Sequence, residues 1–175
     1  MRCLPLLVVL VAPLVALASC APIPAPAPPA PLPAAPLPPP PAPAPLAADW
    51  RDWPITPGDW VYRQDARGSI ALFGQPGLDA ELTLRCDRTA RQIYLARRGT
   101  ASAAPITVRT SSSLRALPAA PTGDGHLAAA LAPNDALLDA IGYSRGRFVV
   151  QQEGLPTLVV PAWAEILRVT EDCRS

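Results

Sequence analysis

Ala80-Glu81-Leu82-Thr83-Leu84-Arg85-Cys86 is the stretch that decides the fold class of this chain. Apolar residues alternate with polar or charged ones, which is the period-two pattern of a strand with one buried face. Cys86 falls on the apolar face, so a disulfide partner would have to approach it from the core. A polar turn and a second alternating run at residues 92–97 follow, which predicts an antiparallel hairpin.

Similar short runs recur on both sides of this hairpin. They predict further strands at residues 60–63, 69–73, 106–110, 147–152 and 157–160, and a shorter possible strand at 114–117. Residues 127–131 form an apolar run whose type the pattern leaves undecided. About seven short strands with alternating patterns are typical of an antiparallel β-sandwich or a small barrel.

Two short helices are predicted late in the chain. Asn134 is suited to cap a helix over residues 134–142, and Gly142 is suited to end it. Pro161 is expected to open the last helix, because proline is tolerated in a first turn. Trp163 and Ile166 would share one face of that helix, with Cys173 further along it. The sequence therefore predicts a mainly β domain whose helices cover an open edge or one end.

The N-terminus carries an export signal. Residues 1–19 contain one charge, Arg2, then an apolar run that is too short for a comfortable transmembrane helix. Leu17-Ala18-Ser19-Cys20 resembles the lipobox of bacterial lipoproteins. That resemblance implies cleavage before Cys20, diacylglycerol on its sulfur and an acyl group on its amine. Several acyl chains together hold a protein stably on a membrane.

A spacer separates Cys20 from the folded part. Residues 21–48 contain only Ala, Pro, Leu and Ile, and 14 of these 28 residues are proline. Proline excludes regular helix and central strand, so we expect a disordered segment rich in polyproline II. At ~3.1 Å per residue its reach is roughly 80 Å. Residues 20–48 are thus a predicted spacer, and residues 49–175 a single β-rich domain. A ligand for a proline-recognising partner is the weaker interpretation of the tract.

The four cysteines divide by position. The lipobox resemblance implies that Cys3 is removed with the signal peptide and that Cys20 takes lipid, which would leave Cys86 and Cys173 in an oxidising compartment. Two cysteines in an exported domain most simply pair with each other. The bridge would close a loop of about 88 residues and contribute up to ~4.6 kcal/mol in the chain-entropy model. It would tie the last helix to an inner strand.

Charge and composition weigh against several classes of function. Without Arg2 the chain has 14 arginines, 14 acidic residues and no lysine, so it is formally neutral. A neutral domain without a basic block is a poor candidate for binding nucleic acid. A single histidine, no CxxC and no glycine-rich phosphate loop predict neither a metal site nor a cofactor.

Two groups of residues are candidate binding residues. Trp50, Trp53 and Trp60 could stack on sugar rings, although sealing the open end of the sandwich is the favoured interpretation. Arg145 and Arg147 could bind an anionic group, together with the arginine pair at residues 97–98. Solvated loop charges are the favoured interpretation of these arginines.

A catalytic role would require His126. It would need a nucleophile from Ser111, Ser112 or Ser113 and an aspartate to orient the ring. The chain has no GxSxG elbow and no evident pair of carboxylates for glycoside chemistry. No catalytic residue is therefore predicted.

Three blocks of the chain resemble known proteins. Residues 49–62, 144–148 and 161–166 are similar to a group of uncharacterised alphaproteobacterial lipoproteins, a resemblance that implies no activity. At the level of the fold, the domain resembles periplasmic β-sandwiches of the invasion-associated locus B type. It also resembles membrane-bound lysozyme inhibitors, in which a late cysteine pairs back to an early strand. The inhibitors use a Ser-Gly-x-x-Tyr-like stretch, and Ser144-Arg145-Gly146-Arg147-Phe148 departs from it by lacking the tyrosine.

Together these features predict a non-enzymatic binding or structural module of the cell envelope. Ala21 follows the lipidated cysteine instead of aspartate, which by resemblance to the usual sorting rule favours the outer membrane, with the domain facing the periplasm. Peptidoglycan or an envelope protein would be the partner. The alternatives are a lysozyme- or glycan-interacting inhibitor module and a hydrolase built on His126.

Overall fold

The described structure contains ten strands in two antiparallel sheets. A computed structural model describes residues 48–100 and 104–175; the predicted signal peptide, Cys20 and all of the spacer except Ala48 lie outside these residues. The strands are β1 Asp59–Asp65, β2 Gly68–Gly74, β3 Leu82–Asp87, β4 Gln92–Arg98, β5 Ile106–Arg109, β6 Leu114–Leu117, β7 Ala120–Pro121, β8 His126–Leu131, β9 Arg147–Gln151 and β10 Leu158–Pro161. The predicted mainly β fold class is confirmed.

The two sheets differ in width. The larger sheet has the order β1-β2-β3-β4-β8-β7, and the smaller has the order β10-β9-β5-β6. The predicted hairpin is β3–β4, in which Leu84 lies opposite Leu95 and Cys86 lies opposite Ile93. The undecided run at residues 127–131 belongs to β8, which pairs with β4. Three consecutive alanines between Leu127 and Leu131 hid its period, because alanine fits either face of a sheet.

A single main core lies between the sheets. Leu82, Leu84 and Cys86 of β3 are at most 1% exposed, and they share this core with Phe148 and Val150 of β9. Burial of a side chain of this size contributes about 1.5–3 kcal/mol. The arrangement is a sandwich and not a barrel, because the strands form two separate sheets packed face to face.

The last helix, α2, spans Ala164–Arg174 and covers the inner face of the larger sheet. Ile166 and Val169 are buried in the main core, and α2 contacts β1, β2, β3 and β4. Cys173 lies at disulfide-bonding distance from Cys86, with the Cα atoms 5.4 Å apart, so the predicted pair is confirmed. The six-stranded sheet is wider than its four-stranded partner, and α2 covers apolar surface that the smaller sheet leaves open.

The other helix, α1, spans Ala136–Gly142 and packs on α2. A Cβ atom at Gly142 would lie 2.3 Å from a Leu167 methyl carbon, so any larger residue here would require the Leu167 side chain of α2 to shift. None of the helices in residues 48–100 and 104–175 is long and apolar enough to cross a membrane.

Two predicted helix starts are wrong by one to three residues. Asp135, and not Asn134, caps α1: its carboxylate accepts a hydrogen bond from the Leu137 backbone N–H at 2.8 Å. Pro161 is the last residue of β10, and α2 begins at Ala164 after Trp163. Pro161 is tolerated at a strand end because it removes no ladder bond from the strand interior.

Candidate binding site

The outer face of the larger sheet carries a depression that crosses the strands. The registers place Leu72 of β2, Thr83 of β3, Ala96 of β4 and Ala128 of β8 side by side in one row. These side chains point away from the main core and form the floor of the depression. We call this depression, with the floor row and the two walls described next, the trough.

Larger side chains border the floor on both sides. Two residues along the strands, on the same face, lie Arg85 and Tyr94, which form the first wall. On the opposite side lie His126, Asp124 and Asp79, which form the second wall. The trough has a volume of about 670 Å³, which falls within the size range of ligand sites on proteins.

Two arginines line the trough, Arg85 in the first wall and Arg67 as a further lining residue, and ion pairs neutralise both. The Arg67 Nη2 atom lies 2.7 Å from Asp87, and the Arg85 Nη1 atom lies 2.8 Å from Asp65. A hydrogen bond from the Ala90 backbone, together with Arg67, holds the pKa of Asp87 below its usual range. The hydrogen bond from Arg85 likewise lowers the pKa of Asp65. Both carboxylates are therefore charged at neutral pH, and each arginine has an opposite charge beside it.

His126 has the aspartate that the hydrolase hypothesis requires, but none of the three serines that the sequence analysis offered. Its Nδ1 atom lies 3.2 Å from Asp124 Oδ1. Hydrogen bonds from Thr122, and then from His126, lower the pKa of Asp124. The predicted nucleophiles, Ser111, Ser112 and Ser113, occupy the turn between β5 and β6 in the other sheet. The proposed serine–histidine–aspartate arrangement is therefore not formed.

The three clustered tryptophans do not form a common platform. Trp60 is 7% exposed in the main core, and its Nε1 atom donates to the Pro161 carbonyl oxygen at 2.9 Å. Trp50 is 8% exposed and packs on Val149 and Val159, which puts it on the outer face of the smaller sheet. Trp53 packs beside Trp50 and is half-buried. The rings of Trp50 and Trp60 are not accessible for stacking on a sugar, so the predicted sugar platform is not formed.

The four arginines proposed to gather an anion have different partners. Arg147 donates through Nη1 to the Trp53 carbonyl oxygen at 2.5 Å, and Arg145 is exposed in the loop before β9. Arg98 pairs with Glu81. The fourth, Arg97, is buried and points into the sandwich. The structure gives no support to a shared anion site.

Arg97 is the largest of the fully buried side chains. It is 2% exposed, and its Nη2 atom donates to the Pro156 carbonyl oxygen at 2.7 Å. Its Nε and Nη1 atoms have no hydrogen-bond partner among the described residues, and burial lowers the pKa of its guanidinium. This hydrogen bond connects the end of β4 to the loop before β10, and it requires the energetically unfavourable burial of a cation.

Comparisons with known proteins add no relative. No protein-family model, curated protein or solved structure matches the chain. The resemblances to lipoproteins and lysozyme inhibitors therefore stay predictions from the sequence. In residues 48–100 and 104–175 there is no cluster of three or more His, Cys, Asp or Glu side chains that could hold a metal ion. The fold and the trough define the class of protein as a disulfide-linked β-sandwich with an open, concave sheet face.

Proposed function

We propose that this protein is a lipid-anchored binding module of the bacterial cell envelope, attached through Cys20, with the trough as its ligand-binding face. The trough is the observation that carries the binding role. It combines an apolar floor with hydrogen-bonding walls, and such concave, mixed surfaces are typical of small-molecule sites. The proposed role is non-enzymatic, since the three serines predicted to act with His126 lie in the other sheet.

The proposed location depends on features at both ends of the chain. The lipobox residues at positions 17–20 and the proline-rich spacer favour an exported, anchored protein. The Cys86–Cys173 pair supports it, because disulfides persist in exported domains and are rare in the cytosol. We propose the outer membrane, on the basis of Ala21, with the domain in the periplasm.

Substitution of the anchoring cysteine should release the protein. Cys20→Ala is expected to move the protein from the membrane fraction to the soluble fraction, because the thioether that carries diacylglycerol cannot form. Immunoblotting of fractionated cells measures the change. Cys3→Ala is the matched control, since Cys3 lies in the segment that is removed, and this variant should stay with the membrane. Membrane retention of Cys20→Ala would contradict the anchor.

A further inference from the structure

We propose that the trough binds an uncharged oligosaccharide that lies across the strands of the larger sheet. This inference rests on the proposed function, in which the trough is the binding face. The proposed carbohydrate site is thus the trough and not the clustered tryptophans, none of which lines the trough. Shape, hydrogen bonding and charge each support this class of ligand.

The shape of the floor suits a chain of flat rings. Thr83, Ala96 and Ala128 follow one another in neighbouring strands, and their small side chains leave room between the two walls. Strands lie ~4.8 Å apart, so the row from Leu72 to Ala128 extends for about 14 Å. A short oligosaccharide can lie along this length, and its apolar C–H faces would contact the methyl groups below.

The walls supply the polar contacts that hydroxyl groups need. Arg85 is partly exposed, with 21% of its side chain accessible, and Tyr94 beside it offers an aromatic face and a phenolic O–H. On the other wall His126 and Asp124 offer a ring nitrogen and a carboxylate. Hydroxyl groups both donate and accept hydrogen bonds, so one sugar chain can bind donors and acceptors on both walls.

Charge argues against an acidic ligand. The two arginines of the trough are already paired with Asp65 and Asp87, while Asp79 and Asp124 add two further carboxylates at the second wall. The side chains that line the trough thus include two guanidinium groups and two carboxylates, and both guanidinium groups also have a carboxylate partner outside the lining. A phosphate, a nucleic acid or an acidic sugar would meet like charge there without a free arginine to bind it.

Backbone geometry argues against an extended peptide. A peptide strand is usually recognised by pairing with the free edge of a sheet. The trough crosses the middle of the sheet, where the backbone groups of β3 and β4 already bond to neighbouring strands on both sides. A ligand in the trough therefore has only side chains to contact, which suits a ligand with many hydroxyl groups.

Saturation-transfer NMR on the full lipidated protein tests the proposal. The protein is held in a detergent without a sugar head group, and the probes are cellotriose, maltotriose and tri-N-acetylchitotriose. We expect saturation transfer to at least one of these neutral trisaccharides and none to a trigalacturonic acid of equal length. Absence of transfer to all three neutral sugars, or transfer to the acidic sugar alone, would overturn the proposal.

Two tryptophan variants locate the binding. Ala128→Trp fills the floor of the trough and should abolish transfer. Leu114→Trp, at an exposed position of β6 in the smaller sheet, lies outside the trough and should retain it. Tyr94→Ala, which removes a wall without filling the floor, is the second test should Ala128→Trp fail to fold. Transfer that persists in folded Ala128→Trp or Tyr94→Ala would overturn the trough as the sugar site.

The same variants distinguish a failure of the oligosaccharide proposal from a failure of the proposal that the trough is a binding face. Envelope components crosslinked to the wild-type protein in cells are compared with those crosslinked to Ala128→Trp. Loss of a specific crosslink in Ala128→Trp, without any sugar signal, overturns the oligosaccharide and leaves the trough as a binding face. An unchanged crosslinking pattern together with no sugar signal overturns both.

Discussion

Replacement of both Cys86 and Cys173 by alanine is expected to lower the free energy of unfolding by about 3–4 kcal/mol. The pair is separated by 87 residues and joins β3 to α2, so its loss frees a long loop in the unfolded chain. Cys86 is fully buried in the main core, so alanine avoids placing a polar hydroxyl there. Equilibrium unfolding in urea measures the change.

Reduction of the wild-type protein provides the control. A phosphine reductant should lower the urea midpoint of the wild type towards that of the double variant and leave the double variant unchanged. A double variant with the wild-type midpoint would show that the link between α2 and the larger sheet adds nothing to stability.

Replacement of Trp60 by alanine is expected to cost about 3–5 kcal/mol, the usual range for removal of a buried aromatic side chain. Its ring lies 5.4 Å from that of Phe73, centroid to centroid, inside the main core. Its Nε1–H also bonds to Pro161 of β10, which connects the edge strands of the two sheets. Thermal or urea unfolding of the variant measures the loss.

Two other substitutions serve as controls for this prediction. Trp163 is 45% exposed at the start of α2, so Trp163→Ala should change stability by only about 0.5 kcal/mol. Trp60→Phe keeps most of the apolar volume and should fall between the two. Equal losses for Trp60→Ala and Trp163→Ala would mean that burial of Trp60 does not contribute as the structure indicates.

Local pattern sufficed for most of the fold. The alternation around Leu82 and Leu84 identified both the strand and the inward direction of Cys86, because a half-buried strand shows its period directly in the sequence. The two errors at helix starts have a different cause. Asn134 and Asp135 are both good capping residues, and Pro161 is compatible with a strand end as well as a first turn, so neighbouring tertiary contacts decide between the options.

The candidate site was much less accessible to sequence reasoning. The trough depends on the register that sets Ala96 beside Ala128, and such pairing between distant strands leaves no local signal. Small residues such as alanine are also seldom selected as candidate ligand contacts from a sequence alone. Conversely, the spacing of Trp50, Trp53 and Trp60 suggested one cluster, whereas Trp60 turns into the core and Trp50 covers the smaller sheet.

In the proposed function, the spacer would let the trough reach ligands away from the membrane surface. A domain held directly against a bilayer could reach few ligands, whereas 28 residues of proline-rich chain would let it sample the space beyond the membrane surface. An oligosaccharide in that space would be within reach of a sheet face that needs no enzyme chemistry to bind it. The anchor, the spacer and the trough would then together retain a ligand near the membrane.

The mass of the N-terminal tryptic peptide tests the central claim, lipid anchoring, most directly. Arg51 is the first trypsin site after Cys20, so the mature protein should release a peptide of residues 20–51. The account predicts that this peptide, isolated from membranes, begins at Cys20 and carries a diacylglyceryl group on the sulfur and an acyl group on the amine. A peptide that begins at another residue, or an unmodified Cys20, would contradict it.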